Sequence, residues 1–235
     1  MNVVSLFSGA GGLDLGFILA GHKIIWANDL YCDAVETYRK NIGGHVVCED
    51  IKNVKTSDIP DCDIVIGGFP CQGFSVANWK RHVDDERNVL YKQLMRVIDE
   101  KRPKFFLAEN VKGLTNMEKG EVFKLVLQDF ESIGYKEKWK VLNAADYGVP
   151  QTRQRVIITG VRKDIDFEYE YPVPTHDKNG ANGLKKWVSV TEALRDLPDP
   201  DKDNDLPNHT YSKYKLNFSN YIGHRKLDPE KPAPT

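Results

Sequence analysis

Several features that would assign this sequence of 235 residues to a special class of protein are missing. No run approaches the roughly 18 apolar residues that a membrane span needs. The apolar N-terminal stretch has no basic leader and is interrupted by glycines, which argues against a signal peptide. The net charge is −1, and no basic block marks a tail that binds nucleic acid. We therefore expect a globular, cytoplasmic protein.

Cysteine is also sparse. The four residues are Cys32, Cys48, Cys62 and Cys71, with no CxxC pair and no Cys/His group at zinc-ligand spacing. This pattern predicts neither a disulfide framework nor a metal site. It is typical of proteins from a reducing compartment.

Short β-rich segments alternate with helical patterns over the first 160 or so residues, which is typical of an open α/β sheet. We predict a doubly wound, mainly parallel, Rossmann-like sheet. The predicted strands are Val3–Phe7, Lys23–Ala27, Val46–Val47, Asp63–Ile66, Lys104–Ala108, Val141–Asn143 and Arg155–Val161. The predicted helices are Leu13–Ala20, Ala34–Asn41, Val89–Glu100, Val122–Ile133 and, near the end of the chain, Val190–Leu197.

The character of the sequence changes at about residue 164, after which prolines and an acidic patch (199–205) become frequent. Such a composition predicts loops and turns rather than a second packed layer. We therefore predict a catalytic domain over residues 1–163 and a loop-rich appendage over residues 164–235.

Three predicted strands end in groups that suit a ligand. A glycine-rich turn follows the first strand and opens a helix, while Asp29 and Asp50 follow the next two. In open α/β sheets ligands bind at the carboxyl ends of the strands, and an acidic group after the second strand commonly holds ribose hydroxyls. Together these groups indicate an adenosine-type cofactor, although each alone could be a cap or a turn.

Cys71 lies between Pro70 and Gln72 on the predicted loop after the fourth strand, where such folds hold catalytic residues. A free cysteine is more often a small core residue, and the other three cysteines suit that interpretation. Glu109 ends the next strand, and Arg153 and Arg155 alternate at the start of another. The arginines could be ordinary surface residues or a fork for a carboxylate, a phosphate or a base carbonyl.

Four motifs occur in the order FSGAGGLDLGF, GGFPCQGFS, AENV and DYGVPQTRQR. In this order they resemble the DNA cytosine-5 methyltransferases, in particular the bacterial modification enzymes. The resemblance extends from Val3 to about Lys163. One departure is Phe69, where many members have a second proline.

The resemblance implies that S-adenosylmethionine is the cofactor and S-adenosylhomocysteine its product. Asp29 would hold the ribose hydroxyls, and Pro70 would abut the methionine end of the cofactor. The remaining implied cofactor contacts are Phe7, Gly9, Gly11, Asp50, Ile51 and Leu90.

The resemblance also implies a reaction on a cytosine flipped out of double-stranded DNA, within a restriction-modification system. Cys71 would attack carbon 6 of the base, Glu109 would serve N3 and the 4-amino group, and Arg155, assisted by Arg153, would grip O2. A transfer RNA methyltransferase of the same architecture, or an inactive DNA-binding subunit, are the alternatives.

Two blocks that the family normally carries are not found in the 235 residues: an Arg-Gln-Gly-Phe-Pro type segment and a final helix that packs against the first motif. The resemblance therefore predicts that part of the cofactor pocket and one sheet face are uncovered. It also predicts either a complementing C-terminal chain or a truncated product of a longer gene. We expect such an enzyme to be associated with the bacterial nucleoid.

Overall fold

The computed structural model describes residues 1–70, 89–198 and 231–234. The strands in these ranges are β1 (Asn2–Leu6), β2 (Lys23–Asp29), β3 (Val46–Cys48), β4 (Ile64–Gly67), β5 (Phe105–Val111), β6 (Tyr135–Asn143), β7 (Gln151–Thr152), β8 (Gln154–Arg162), β9 (His176–Asp177), β10 (Lys185–Lys186) and β11 (Ala233–Pro234). The α-helices are α1 (Gly12–Leu19), α2 (Cys32–Asn41), α3 (Val89–Lys101), α4 (Glu121–Ser132) and α5 (Val190–Ala193). Short 3-10 segments cover Thr56–Asp58, Lys112–Gly120, Ala144–Tyr147 and Ala181–Gly183.

Seven strands form one sheet in the order β3-β2-β1-β4-β5-β8-β6. Neighbouring strands from β3 to β5 pair in parallel, whereas β8 runs antiparallel to β5. The sequence order reverses on either side of β1, which creates the switch point at which open α/β sheets bind ligands. The predicted doubly wound, mainly parallel fold is therefore confirmed.

Alternating residues of the central strands point to opposite faces of the sheet, and each face has its own apolar core. On one face Val4, Val65 and Phe106 pack with residues of α3 and α4. On the other face Val3 and Ile66 pack with residues of α1 and α2. Helices on both faces explain why the central strands are almost continuously apolar.

Two predicted elements differ from the structure by more than three residues at one end. β6 begins at Tyr135, earlier than expected, because its alternating lysines and glutamate do not resemble a buried strand. It lies at the edge of the sheet, where charged side chains prevent unwanted pairing. The last helix covers only Val190–Ala193, and the side chain of Ser189 caps it by accepting a hydrogen bond from Glu192 N–H (3.1 Å).

The chain divides into two compact units that interleave in sequence. The first comprises Met1–Val141 and Arg155–Tyr171, and the second comprises Leu142–Gln154 and Pro172–Thr235. Within the second unit, β9 pairs with β10 and β7 pairs with β11. The division into functional domains at residue 163 stays a prediction.

An apolar groove of about 500 Å³ lies on the α1 side of the sheet, in the first unit. Phe17, Ile64, Leu107 and Val161 are among the side chains that line it. The outer side of α1 is apolar too, because Leu19 is 80% exposed and Leu15 and Ile18 lie beside it. Exposed apolar side chains next to an apolar groove are typical of a surface that packs against another segment.

The expectation that the cysteines form no disulfide is wrong. The β2–β3 register places Cys48 opposite Asp29, and α2 begins three residues later at Cys32. The two Cα atoms are 5.5 Å apart, and the cysteines are disulfide-bonded. Because the pairing depends on strand register, it cannot be predicted from the spacing of the cysteines.

We expect reduction of this disulfide to lower the thermal stability. Closing a loop of this length stabilises a protein by about 3 kcal/mol in the chain-entropy account, which corresponds to about 6–12 °C in a domain of this size. Melting curves with and without dithiothreitol measure the effect. The Cys32→Ser variant should not respond to the reductant, whereas Cys62→Ala should respond as the wild type does. Equal melting temperatures for the oxidised and reduced wild type would contradict the prediction.

Candidate active site

The carboxyl ends of five parallel strands meet at one edge of the sheet in the first unit. The glycine-rich turn follows β1, Asp29 ends β2, and Asp50 comes two residues after β3. The loop that leads to Cys71 follows β4, and Glu109 lies in β5. Since β8 is antiparallel, its first residues, including Arg155, reach the same edge.

The backbone of the glycine-rich turn adopts left-handed φ values that residues with side chains seldom have. Gly9 and Gly11 have φ values of +54° and +90°, and Phe7 has +55°. Gly11 caps α1 and donates its N–H to Ser8 O at 2.9 Å. A Cβ atom at Gly11 would overlap with the Ile42 side chain and lie 2.8 Å from the Tyr38 ring. Glycine is therefore required here, and the turn leaves backbone open to a ligand.

Asp29 joins two of the strand ends. Its Oδ2 accepts the Gly9 N–H at 2.7 Å, and its Oδ1 accepts the Tyr31 N–H at 2.9 Å. Each carboxylate oxygen retains a further lone pair. The side chain is thus held rigidly by backbone donors and can still accept two hydroxyl groups.

Ile51 and Asp50 form the next part of the edge. Ile51 is 2% exposed, and the Asp50 carboxylate accepts the Lys52 N–H at 3.0 Å. Arg96 of α3 fixes this loop by donating to the carbonyls of Ile51 and Val54, both at 3.0 Å. Sequence reasoning missed Arg96, because nothing in the sequence links it to a loop more than 40 residues away.

The loop after β4 passes directly over the core. Phe69 is 2% exposed and packs against the Tyr91 ring with centroids 5.3 Å apart. This packing explains how the fold accommodates a phenylalanine at position 69. Pro70 is exposed and Leu90, in the first turn of α3, is partly buried. Cys71 follows Pro70 and lies outside the described residues.

Glu109 and Arg155 form an ion pair across β5 and β8. Arg155 Nε lies 2.8 Å from Glu109 Oε1, and the side chains are 19% and 25% exposed, respectively. A side chain at Gly68 would lie 3.2 Å from Glu109 Oε2. The pair therefore stands beside the loop that leads to Cys71 and is still reached by solvent.

Asn110 ties the same loop to β5. It is 3% exposed, and its Nδ2 donates to Phe69 O at 2.9 Å, while its Oδ1 accepts the Val111 N–H at 2.8 Å. Sequence reasoning missed Asn110, although it stands inside the AENV motif. Its position within the motif was the available signal.

Arg153 belongs to the second unit and is exposed. Its N–H donates to Gln151 O at 3.0 Å and its carbonyl accepts the Ala144 N–H at 2.9 Å. The structure therefore brings Glu109 and Arg155 together, and the assisting role of Arg153 stays a prediction. In residues 1–70, 89–198 and 231–234, no group of three or more His, Cys, Asp or Glu side chains is placed to hold a metal ion.

Comparison with known proteins agrees with this geometry. The family model for C-5 cytosine-specific DNA methylase matches residues 1–232. The chain belongs to this family. M.NgoFVII of Neisseria gonorrhoeae, a type II methyltransferase, is 47% identical over 207 residues, and M.BspRI of Lysinibacillus sphaericus is 46% identical over 224 residues. The matches cover 87% and 83% of this chain, respectively. The resemblance to DNA cytosine-5 methyltransferases is thereby confirmed.

Solved structures give the same picture of the fold. An Escherichia coli prophage protein described as a DNA modification methyltransferase matches with a TM-score of 0.69 and 33% identity, over 85% of this chain and 56% of its own. Schizosaccharomyces pombe Dnmt2 matches with a TM-score of 0.60 and 23% identity, over 73% of this chain and 53% of its own. The second likeness bears on the fold alone.

The methylase chain spans about half the length of the curated relatives that it matches, namely 55% of M.NgoFVII and 52% of M.BspRI. None of the helices in the described part of the chain is long and apolar enough to cross a membrane.

Replacement of Asn110 by alanine should destabilise the methylase fold by about 1–3 kcal/mol, because the buried Phe69 carbonyl loses its donor. Urea denaturation measures the change. Asn41→Ala is the matched control, since Asn41 makes a single exposed hydrogen bond to Thr37 O, and it should cost no more than about 0.5 kcal/mol. A loss for Asn110→Ala no larger than that of the control would contradict the role of Asn110.

Proposed function

We propose that this methylase transfers a methyl group from S-adenosylmethionine to carbon 5 of cytosine in double-stranded DNA, as a type II modification enzyme. The observation that carries the proposal is the Glu109–Arg155 pair (2.8 Å), which lies beside the loop to Cys71 on the same sheet edge as Asp29. Family membership supplies the reaction class. The enzyme would act in the bacterial cytoplasm at the nucleoid, where its DNA substrate is found.

The sheet edge fits the proposed cofactor. The Asp29 carboxylate, fixed by two N–H donors, suits the two ribose hydroxyls. The buried Ile51 suits one face of the adenine ring, and the neighbouring Asp50 suits the polar edge of the ring. Phe7, Gly9 and Gly11 would line the rest of the pocket, Pro70 would abut the methionine end of the cofactor, and Leu90 would help to close it. When bound, S-adenosylmethionine supplies the methyl group as an electrophile.

The chemical difficulty is that carbon 5 of cytosine is a poor nucleophile. Addition of the Cys71 thiolate to carbon 6 makes carbon 5 electron-rich, provided that the ring accepts a proton at N3. Glu109 is the group that gives this proton and accepts a hydrogen bond from the 4-amino group. Arg155 holds Glu109 in place and donates a hydrogen bond to O2, and Arg153 is the proposed assistant. After methyl transfer, solvent water takes the carbon 5 proton, the C5–C6 double bond re-forms as the Cys71 thiolate leaves carbon 6, and the N3 proton returns to Glu109.

The base must leave the DNA stack for this reaction, because carbons 5 and 6 are covered by neighbouring bases in a duplex. Flipping costs a few kcal/mol. The enzyme compensates for this cost by contacts to the flipped base and to the phosphates. The chain carries a net charge of only −1. We therefore infer that much of the DNA contact is made by the other half of a full-length family protein, which this chain does not include.

We further propose that this other half packs in the apolar groove beside α1, whether it is a second chain or a continuation of this one. The groove is lined by side chains such as Phe17 and Phe105, and the exposed Leu15 and Leu19 of α1 lie on the outer side of the same helix. The chain spans about half of its relatives, so a segment of suitable length exists in the family.

Covalent trapping tests the proposed reaction. DNA in which every cytosine is replaced by 5-fluorocytosine offers all sequence contexts, and its fluorine blocks the final elimination. In the presence of S-adenosylmethionine we expect the chain alone to form a small amount of an adduct that survives denaturation. Cys71→Ser should give none, and Glu109→Gln should form it about 10²–10⁴-fold more slowly. Glu36→Gln, at an exposed carboxylate paired with Lys40, should behave as the wild type.

The same assay, repeated with the C-terminal half of M.NgoFVII as a separate chain, tests the partner. We expect little adduct from this chain alone and more with the added half. An equal rate in both cases would contradict the partner proposal. No adduct in either case would contradict the methyl-transfer proposal and favour an inactive DNA-binding subunit. Transfer of labelled methyl to RNA but not to DNA would contradict the proposed substrate.

A further inference from the structure

A buried polar network lies directly behind the glycine-rich turn. Asp14, in the first turn of α1, is 0% exposed. Its Oδ1 accepts the hydroxyl of Ser5 in β1, and its Oδ2 accepts the hydroxyl of Tyr38 in α2, both at 2.7 Å. The Tyr38 oxygen lies 3.1 Å from His45 Nε2. Because the Tyr38 hydroxyl donates its hydrogen bond to Asp14, its oxygen accepts a hydrogen bond from the Nε2–H of His45.

A buried carboxylate in this position needs an explanation. Burial raises the pKa of Asp14 above its usual range, and the hydrogen bonds from Ser5 and Tyr38 partly offset this. Burial, followed by the nearby Asp14, likewise raises the pKa of Tyr38. Apolar residues at these positions would avoid the cost of desolvation, so the network is better explained by the geometry that it fixes.

That geometry concerns Gly11. The Tyr38 ring and the Ile42 side chain form the wall against which Gly11 packs, so closely that a Cβ atom at Gly11 would lie 2.8 Å from the ring. The hydrogen bond from Tyr38 to Asp14 therefore fixes the wall to α1, the helix that Gly11 caps. The other side of the turn is held separately, by Asp29 through the Gly9 N–H.

We propose that Asp14 and Tyr38 are positioning residues for the cofactor: their buried hydrogen bond keeps α2 against the glycine-rich turn, so that the turn holds the shape in which S-adenosylmethionine binds. This inference rests on the proposed function. Neither residue touches the cofactor, and both act through Gly11 and the backbone that surrounds it.

The test is the affinity of the full 235-residue chain for S-adenosylhomocysteine, measured by titration calorimetry. Tyr38→Phe keeps the ring that supports Gly11 and removes only the hydroxyl, so the fold should survive. We expect its dissociation constant to rise about tenfold, the loss associated with a buried acceptor deprived of its donor. Thr37→Ala, at the neighbouring exposed position of α2, is the matched control and should stay within about twofold of the wild type.

A second variant tests the coupling. Asp14→Asn keeps the shape of the side chain and one acceptor oxygen, so it should weaken binding less than Asp14→Ala does. In the double variant with Tyr38→Phe, the two effects should be less than additive, because they remove the same contact. Additive effects would contradict the proposed contact between the two residues.

Amide hydrogen exchange of the ligand-free chain separates positioning from a general loss of stability. Faster exchange in Tyr38→Phe at Gly9, Gly11 and Gly12, with the central strands unchanged, is the expected result. A lower melting temperature with unchanged affinity and unchanged exchange in the turn would overturn the inference. If the wild type and Tyr38→Phe bind S-adenosylhomocysteine equally well, the positioning role is contradicted, while the proposed function is not. If the wild type itself binds no S-adenosylhomocysteine, the proposed function fails with it.

Discussion

The parallel alignment of five strands is the constraint on which the rest of this structure depends. It brings together, at one edge, groups that are far apart in the sequence: the turn after β1, the carboxylate at the end of β2 and the ion pair between β5 and β8. Asp29 then secures the edge, since one carboxylate accepts N–H groups from two separate loops. A shift of a single strand would disperse the site, so the chemistry depends on strand register as much as on the residues.

The antiparallel strand β8 extends the site in a way that a wholly parallel sheet could not. Its register pairs Val111 with Arg155, which places the arginine diagonally across from Glu109. If β8 were parallel to β5, its last residues would lie at this edge, and its first residues, including Arg155, would lie at the opposite edge. The direction of one strand thus determines that a guanidinium meets the carboxylate beside the loop to Cys71.

Much of this could be predicted from the sequence, because the features concerned are local. The alternation of apolar strands and helices predicted the sheet, and the residues at strand ends predicted which edge would matter. What could not be predicted depends on contacts between distant segments. Arg96 reaches a loop more than 40 residues away, the partner of Asp14 lies in α2, and the Cys32–Cys48 pairing follows from the register of β2 and β3. The predicted strand is shorter than β6, because the lysines and the glutamate of β6 are typical of an exposed edge strand and not of a buried one.

The central claim is that this sheet edge binds S-adenosylmethionine, and a nuclear magnetic resonance titration of the labelled chain with S-adenosylhomocysteine tests it most directly. The account predicts saturable shifts of backbone amides in three separate stretches: residues 7–12, residues 29–31 and residues 50–51. Shifts confined to other parts of the chain, or no saturable shift at any ligand concentration, would contradict it.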